Sequence, residues 1–466
     1  MLRAEPNGNR REHKLVNASA NSAAVKTRRS GCQFWLPILM MAACLTATAH
    51  AQQYYVVDCT GANPSDYPSI TSALAVAGPG SIILVNGPCN ENVTITNAFN
   101  AYVGAFWGQT ATINGNVSVW GSDTVFLYGL NVTNPAGDAF DVTSSHTVTL
   151  YSCTGNGNQQ YGLNASTQSD VTITGPASFD NNGAGGIDMS DNSSVSINSW
   201  NGPLDISNNR GSGVWGTAGS VFWTPGSTTI ENNANPAASP ASAVFGISLF
   251  GNSKAQIGAC SGPNVIQGNQ AGGINLQENS EISLWNCGQT YQSYLLANGP
   301  VGISAGLGSQ VTLYDDVQIT GHSGSGVELW GKSQLYVFGQ NLISQNGTAS
   351  DPRSAGIVVD GNSEAYLRGG QISGNEGPGI LALVNSSVDF TGATLTGNSG
   401  GIITCDSSAY MVSDLLAPGK PAAGIACRTP HNLGNRRGPS GGRPPMRDFT
   451  ALNKRIAWYK SMATAK

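Results

Sequence analysis

The sequence predicts an all-β chain that folds as a right-handed parallel β-helix of about 11 to 14 coils with a short N-terminal capping helix. A low content of charge, a glycine-apolar repeat and a second motif that alternates apolar with polar residues support this prediction. Charged residues make up 11% of the 466 residues, and 60 residues are glycine. This composition is too poor in charge for a soluble helical enzyme.

The first repeat is a glycine or alanine followed by an apolar residue. It recurs at intervals of 22 to 33 residues. A period of this length is typical of a solenoid, in which each repeat forms one coil. The apolar members are Phe140, Leu163, Ile187, Val214, Ile247, Ile274, Ile303, Val327, Ile357, Ile380 and Ile402.

A second motif follows most of these pairs and alternates apolar with polar residues, which predicts a short strand with one buried face. A third segment, rich in Asn and Gly, precedes each glycine. Three strands per coil, with Asn and Gly at the corners, is the parallel β-helix arrangement, in which each coil hydrogen-bonds to the next. The alternating segments are QSDVTITG (168–175), NSSVSINS (192–199), NSEISLWN (279–286), GSQVTLYD (308–315), KSQLYVFG (332–339), NSEAYLRG (362–369) and NSSVDFTG (385–392).

An asparagine lies five residues before the apolar member in several repeats, as in Asn209, Asn269 and Asn375. Stacked at a corner of the coil, such side chains satisfy backbone groups, which predicts an asparagine ladder. His322 occupies the equivalent position before Val327. We interpret His322 as a structural member of the ladder, with a catalytic histidine as the alternative.

Residues 1–51 have the parts of a secretory signal peptide: a basic stretch, an apolar run from Phe34 to Ala47 and the segment Ala49-His50-Ala51. We expect cleavage before Gln52 and a secreted or periplasmic protein. The apolar run is too short to span a bilayer, so we expect no transmembrane segment. A lipoprotein site at Cys44 is the alternative.

The chain therefore divides into a leader (1–51), a β-helix domain (52–427) and a basic Gly/Pro-rich linker with a short C-terminal helix (428–466). The domain holds six basic residues against about two dozen acids, whereas the last segment holds nine basic residues and one acid. An acidic body repels polyanions, which argues against a nucleic-acid partner. The last segment either docks on the body or stays mobile, and one face of its predicted helix carries Phe449, Leu452, Ile456 and Tyr459.

Seven cysteines remain once the leader is removed. An oxidising compartment favours disulfides, and six of the cysteines form pairs whose members are about one coil apart, the separation that places them on adjacent coils. We interpret Cys153, the seventh, as a buried free thiol. The predicted disulfides are Cys59–Cys89, Cys260–Cys287 and Cys405–Cys427.

The entry segment 68–95 predicts a short helix with one apolar face, then a strand and the turn Asn-Glu-Asn-Val. With the repeat, this segment resembles the pectate-lyase-like superfamily of right-handed parallel β-helices, over roughly residues 55 to 415. In pectin methylesterases and their relatives such a helix closes the open end of the core, and the resemblance implies the same here. The apolar face of the helix consists of Ile70, Ala73, Leu74 and Ala77.

The catalytic motifs of the enzymes in this superfamily do not transfer to this chain. The Leu-Gly-Arg-Pro-Trp segment of pectin methylesterases does not occur. Of the polygalacturonase motifs, only Asp315-Asp316 and Gly321-His322 match in part. Whether the protein is an enzyme therefore stays open at the level of sequence.

The residue after each glycine-apolar pair is expected to point outward, and this row contains Asp141, Asp188 and Glu328 as candidate catalytic carboxylates. With coils about 4.8 Å apart, Asp141 and Asp188 would be roughly 9 to 10 Å apart, at the edge of the spacing for an inverting glycosidase pair. Aromatic rings beside carboxylates suit sugar binding. The candidate substrate-binding residues are Trp215, Phe250 and Trp330 near this row, and Trp285 and Tyr314 on a second outward row.

We interpret the chain as a monomeric β-helix protein that binds, and in one version cleaves, a polysaccharide or cell-surface glycan. The alternative is a non-catalytic structural or adhesive surface solenoid. The enzyme hypothesis predicts a groove where the carboxylates converge, and the alternative predicts a flat polar surface. The metal ligands stay unknown, although Ca²⁺ would be needed to bridge an acidic sugar to the acidic body.

Overall fold

The computed structural model describes residues 52–106, 108–198, 201–234, 244–287, 291–351 and 353–412. These ranges contain parallel strands and one short helix. The predicted signal peptide and basic C-terminal segment lie outside them, and both stay predictions. No helix in these ranges is long and apolar enough to cross a membrane.

Each coil contributes three strands, and equivalent strands of successive coils pair in parallel to form three columns. Column I is a 13-stranded sheet, which falls within the predicted number of coils. Its strands are β3 (Val93–Thr96), β6 (Val117–Trp120), β9 (Phe140–Thr143), β12 (Tyr161–Ser166), β15 (Gly185–Met189), β18 (Val214–Gly216), β21 (Phe245–Leu249), β24 (Gly272–Leu276), β27 (Val301–Ala305), β30 (Ser325–Leu329), β32 (Ile357–Val359), β34 (Ile380–Ala382) and β37 (Ile403–Cys405).

Columns II and III form one 25-stranded sheet, because β31 (Gln334–Ser344) and β33 (Glu364–Ser373) run from one column into the other. This pairing confirms the predicted parallel β-helix. The other strands of column II are β1 (Tyr54–Asp58), β2 (Ile82–Asn86), β4 (Phe99–Ala105), β7 (Asp123–Tyr128), β10 (His146–Tyr151), β13 (Asp170–Thr174), β16 (Ser194–Asn198), β19 (Val221–Thr224), β22 (Lys254–Ala259), β25 (Glu281–Asn286), β28 (Gln310–Tyr314), β35 (Ser387–Asp389) and β38 (Tyr410–Val412). The other strands of column III are β5 (Ala111–Asn114), β8 (Leu130–Thr133), β11 (Thr154–Gly155), β14 (Ala177–Ser178), β17 (Leu204–Ser207), β20 (Thr228–Glu231), β23 (Asn264–Gln267), β26 (Ser293–Leu296), β29 (Val317–Thr320) and β36 (Thr394–Thr396).

The apolar members of the glycine-apolar repeat lie in the core, from Phe140 to Ile380. Ile402 is the exception, since its side chain is 56% exposed. The neighbouring Ile403 pairs with Ile380 instead. Gly401 adopts a φ of 93°, a left-handed conformation that glycine adopts readily. The turn before β37 therefore ends one residue later than predicted.

A ladder of buried asparagines runs up one corner of the solenoid, as predicted. The Asn209 side chain accepts from the Asn182 backbone N–H at 2.9 Å. Its Nδ2 donates to the Phe179 carbonyl and to Asn233 Oδ1, both at 3.0 Å. The same pattern repeats because each coil places its asparagine directly above the next. The ladder contains Asn158, Asn182, Asn209, Asn233, Asn269, Asn298, His322, Asn346, Asn375 and Asn398.

His322 replaces one asparagine in this ladder. Its Nδ1 lies 3.3 Å from the Asn298 carbonyl oxygen, and its backbone N–H donates to Asn346 Oδ1 at 3.2 Å. The side chain is 1% exposed. Burial lowers the pKa of His322 from 6.5 to about 4, against the opposing effect of hydrogen bonds to the backbone.

A second ladder, made of serines, lies at another corner, just before the strands of column II. The Ser145 backbone N–H donates to Ser169 Oγ at 3.2 Å, and Ser169 N–H donates to Ser193 Oγ at 3.1 Å. Most of these hydroxyls also donate to a carbonyl, as Ser169 does to Ser166. Our sequence interpretation missed this ladder. Its buried members include Ser122, Ser145, Ser169, Ser193, Ser220, Ser253, Ser280, Ser309, Ser333 and Ser363.

The N-terminal end of the core is closed by helix α1 (Ile70–Leu74). Ile70 and Ala73 are fully buried and belong to the main core cluster. Ser69 caps the helix by accepting from the Ser72 N–H at 3.0 Å. Glu91 accepts from the Ile70 N–H at 2.7 Å and places its negative charge at the start of the helix.

Two of the predicted disulfides, Cys59–Cys89 and Cys260–Cys287, are present. Cys405 is also disulfide-bonded, but Cys427, its predicted partner, lies outside the described residues. Cys153 is free and buried, and burial raises the pKa of its thiol to about 12. This thiol is therefore protonated and inaccessible in the folded protein.

The asparagine ladder should contribute strongly to stability. We expect Asn209→Ala to lower the free energy of unfolding by about 3 kcal/mol, because it leaves the buried Asn182 N–H and Phe179 carbonyl without partners. Asn114→Ala is the matched control, since Asn114 is exposed and its side chain donates only to Asn90 at the surface. Denaturant unfolding followed by circular dichroism measures both changes. Equal destabilisation by the two substitutions would contradict the role of the ladder.

His322 should make stability depend on pH. Its folded-state pKa is lowered, so the unfolded chain binds more protons between pH 6.5 and 4, and stability falls as the pH falls through this window. We expect His322→Asn to stabilise the protein by about 2 kcal/mol more at pH 5 than at pH 8. Thermal unfolding of both proteins at the two pH values tests this, and a gain independent of pH would refute it.

Candidate functional site

The predicted outward row of column I exists, and we call it the column I strip. Its members pair residue by residue across adjacent strands, because every coil repeats the same three-strand path. Asn164 pairs with both Asp141 and Asp188, and Asp188 pairs with Trp215. The strip consists of Asp141, Asn164, Asp188, Trp215, Ser248, Asn275, Ser304 and Glu328.

The three candidate carboxylates of the strip do not converge. Asp141 and Asp188 are two strands apart, but Glu328 lies five strands beyond Asp188, or roughly 24 Å at the usual strand spacing. Asp141 is half-buried and accepts from Asn164 Nδ2 at 3.1 Å and from Thr143 Oγ1 at 3.3 Å. Burial raises its pKa, against the effect of those two hydrogen bonds. One acidic group with a raised pKa therefore stands at the N-terminal end of the strip.

Asp188 is buried, since only 2% of its surface is exposed to solvent. The neighbouring Tyr161 has a strongly raised pKa, caused first by burial and then by the charges of Asp188 and Asp138. A buried carboxylate of this kind is poorly placed to meet a polymeric substrate in solution.

The candidate aromatic residues near the strip pack against one another. The Trp215 and Phe250 rings lie 4.7 Å apart, and Trp330 joins them with Leu307 in a small apolar cluster. Phe250 and Trp330 are only 4% and 7% exposed. Trp330 lies flat over Gly306, where any Cβ would come within 2.2 Å of its ring. The ring faces in this cluster are consequently occupied by protein.

Column II carries a different kind of surface, which we call the aromatic ladder. It consists of Tyr314, Phe338, Tyr336 and Tyr366. The Tyr314 and Phe338 rings stack at 5.3 Å, and Tyr336 and Tyr366 stack at 5.2 Å with an interplanar angle of 8°. Tyr314 and Phe338 are 45% and 36% exposed. The rings follow the coil spacing and present a continuous aromatic edge to solvent.

Trp285 stands at the N-terminal end of the aromatic ladder but leans away from it. By the register of β25 and β28, Trp285 comes opposite Tyr314. Its ring lies instead over Gly258 of the preceding coil, within 2.6 Å of where a Cβ would be. Among the described residues, no ring contact joins Trp285 to Tyr314. Tyr314 therefore has one face on Phe338, and no described aromatic ring contact occupies its other face.

Polar groups border the aromatic ladder. Arg368 donates to Asp389 at 2.6 Å. The Tyr366 hydroxyl donates to Glu364 at 2.9 Å, a contact that also raises the pKa of Tyr366. The Tyr336 hydroxyl donates to Gln334 at 3.2 Å. These planar and charged groups can exchange hydrogen bonds with sugar hydroxyls.

One titratable group that our sequence interpretation missed lies in column III. Asp180 accepts from the Ser207 N–H at 2.7 Å. Burial, with smaller contributions from the charges of Asp205 and Glu231, raises its pKa to about 7. No local motif marks it, because the three acids are separated in sequence and meet only through coil stacking.

The described residues contain one group of potential metal ligands and a cavity beside α1. The one group of three potential metal ligands among the described residues is Cys59, Cys89 and Glu91. The two cysteines are joined in a disulfide and Glu91 caps α1, so this group does not suit a metal ion. A cavity of about 380 Å³ lies beside α1, and none of its lining side chains is titratable.

Comparison with known proteins places the chain by its fold. The family described as "Right handed beta helix region" matches residues 115–287 and 245–416. No curated protein matches the chain.

Solved structures with similar folds include pectate lyase Pel9A, with 16% identity and a TM-score of 0.38, over 59% of this chain and 80% of that one. The A-module of the mannuronan C-5 epimerase AlgE6 from Azotobacter vinelandii has 15% identity and a TM-score of 0.28, over 70% and 82%. The receptor-binding tailspike of bacteriophage Det7 has 13% identity and a TM-score of 0.37, over 82% and 79%. Since the family match spans most of the stacked coils, the chain belongs to the right-handed β-helix family.

Proposed function

We propose that this protein binds a neutral polysaccharide through the aromatic ladder of column II, with Trp285 and Tyr314 on either side of a sugar-binding gap. The observation that carries the proposal is the lean of Trp285 onto Gly258. Tyr314 stacks on Phe338 with one face, and among the described residues no aromatic ring contact occupies its other face. Aromatic faces that protein does not occupy suit the apolar faces of pyranose rings.

The charge of the solenoid favours a neutral glycan. The acidic body repels polyanions, and Arg368, the basic residue beside the ladder, is already paired with Asp389. Uncharged sugars avoid this repulsion and bind through stacking and through hydrogen bonds to groups such as Gln334 and Glu364. Calcium, which would be needed to bridge an acidic sugar, has no part in this proposal.

The proposal is one of binding without cleavage. The aromatic ladder lies on column II, whereas the candidate catalytic residues Asp141, Asp188 and Glu328 lie on column I. Glycoside hydrolysis commonly uses two carboxylates at the scissile bond. Glu328 is too far from the other two to share a site with them, and Asp188 is only 2% exposed. The disulfides support action in an oxidising compartment outside the cytoplasm.

Removal of either ring that borders the gap should weaken binding. We expect Trp285→Ala and Tyr314→Ala each to reduce affinity for the bound neutral glycan about tenfold or more, because each removes the apolar area of one stacking ring. Trp120→Ala is the matched control, since Trp120 is 56% exposed but lies on column I. Calorimetric titration against neutral oligosaccharides selected on a glycan array measures the three affinities.

Four results would count against the proposal. If the Trp285 and Tyr314 variants bind the glycan as tightly as the Trp120 control does, the glycan does not bind between these two rings. Binding restricted to acidic glycans and abolished by a calcium chelator would overturn the choice of a neutral ligand. Binding to no glycan at all would favour the structural or adhesive solenoid. Shortening of the polymer, lost in Asp141→Asn, would contradict binding without cleavage.

A further inference from the structure

The outer face of column I is covered along its C-terminal half. Ser248, Asn275 and Ser304 alternate with core residues and so point away from the core, yet they are only 1%, 1% and 0% exposed. Val358 and Leu381 on later strands are 1% and 2% exposed. On the outer face of column II, by contrast, Tyr314 and Phe338 remain open. Neighbouring side chains on the same face contribute to the burial of the three polar residues, since Gln277 donates to Asn275 and Trp330 lies over Gly306. The large apolar side chains of Val358 and Leu381, in contrast, require another part of the chain to lie over them.

An apolar patch marks the most strongly covered part. Val358 and Leu381 form a cluster with Ala355 and Leu383 that is separate from the main core. Every strand in the described ranges belongs to one of the three columns, and α1 lies at the opposite end. Arg353 pairs with Asp360 nearby in sequence, but no described element spans Leu381 and Leu383.

We infer that the C-terminal segment of this chain, residues 413–466, docks on this face, independently of the glycan site proposed on column II. The segment follows β38, the last described strand, which belongs to column II at the same end of the solenoid as β37. Cys405 on β37 is disulfide-bonded, and its predicted bond to Cys427 would tether the segment at the end of column I.

The length of the segment suits this face. The 39 residues after Cys427 reach about 130 Å when fully extended, whereas the eight strand spacings from β37 back to β15 cover roughly 38 Å. Even a partly helical segment can therefore reach from the tether at β37 to Asp188.

The charge and the apolar residues of the C-terminal segment also complement those of the covered face. Residues 428–466 hold nine basic residues and one acid, and the covered face carries the half-buried carboxylate of Glu328. In the predicted helix, Phe449, Leu452, Ile456 and Tyr459 share one face, which complements the apolar patch.

Photo-crosslinking of the full chain tests this docking. A benzoylphenylalanine in place of Leu381 should form an intramolecular crosslink to a peptide within 413–466, identified by mass spectrometry. The same group in place of Phe338, on the open face of column II, should give no crosslink to that segment. Circular dichroism of both proteins confirms that the β-helix is intact.

A second pair of variants leaves the solenoid unchanged and alters only the segment. Phe449→Asp combined with Ile456→Asp should lower the crosslink yield from position 381 about tenfold, because two apolar contacts are lost. Ala451→Asp, on another face of the predicted helix, should leave the yield unchanged. Crosslinks to residues 1–51, crosslinks between two molecules, or no crosslink from position 381 would each overturn the inference.

Discussion

Parallel backbone hydrogen bonding between successive coils is the interaction on which the rest of this structure depends. It places equivalent residues of neighbouring coils one strand spacing apart, roughly 4.8 Å. An asparagine at a corner therefore hydrogen-bonds to the asparagine of the next coil, and a serine hydrogen-bonds to the next serine. The rings of column II stack at 5.2 to 5.3 Å for the same reason. Both polar ladders satisfy backbone groups at turns that would otherwise be buried without partners.

Much of this fold could be predicted because the repeat carries it in short, local patterns. The glycine-apolar pairs located the core residues, and the separation of the cysteines matched two disulfides. The serine ladder was present in every alternating segment quoted above, at the second position, as in Ser169 and Ser280. It was missed because only the alternation of apolar and polar residues in these segments was considered, and a serine at this position carries no apolar signal. Two consecutive isoleucines, with Gly401 in a left-handed conformation, displaced the last repeat by one residue.

The candidate site was less predictable, because exposure on an outer face depends on partners that are distant in sequence. The order of residues along the column I strip followed from the repeat, but their burial did not. Trp330 lies flat because Gly306 is opposite, and Trp285 leans because Gly258 is opposite. Each relation requires the register between coils as well as the identity of both residues. With the same coil geometry, the outer side chains are therefore buried along the C-terminal half of column I, whereas the aromatic side chains of column II are exposed to solvent.

The disulfides near the two ends of the solenoid have a consequence for its resistance to proteolysis. Interior coils are held from both sides, whereas a terminal coil is held from one, so a stack of this kind frays from its ends inward. Here α1 and Cys59–Cys89 secure the first coils, and Cys405 on the last strand of column I is disulfide-bonded. Cross-links at these positions hinder the local unfolding through which a protease gains access to a strand.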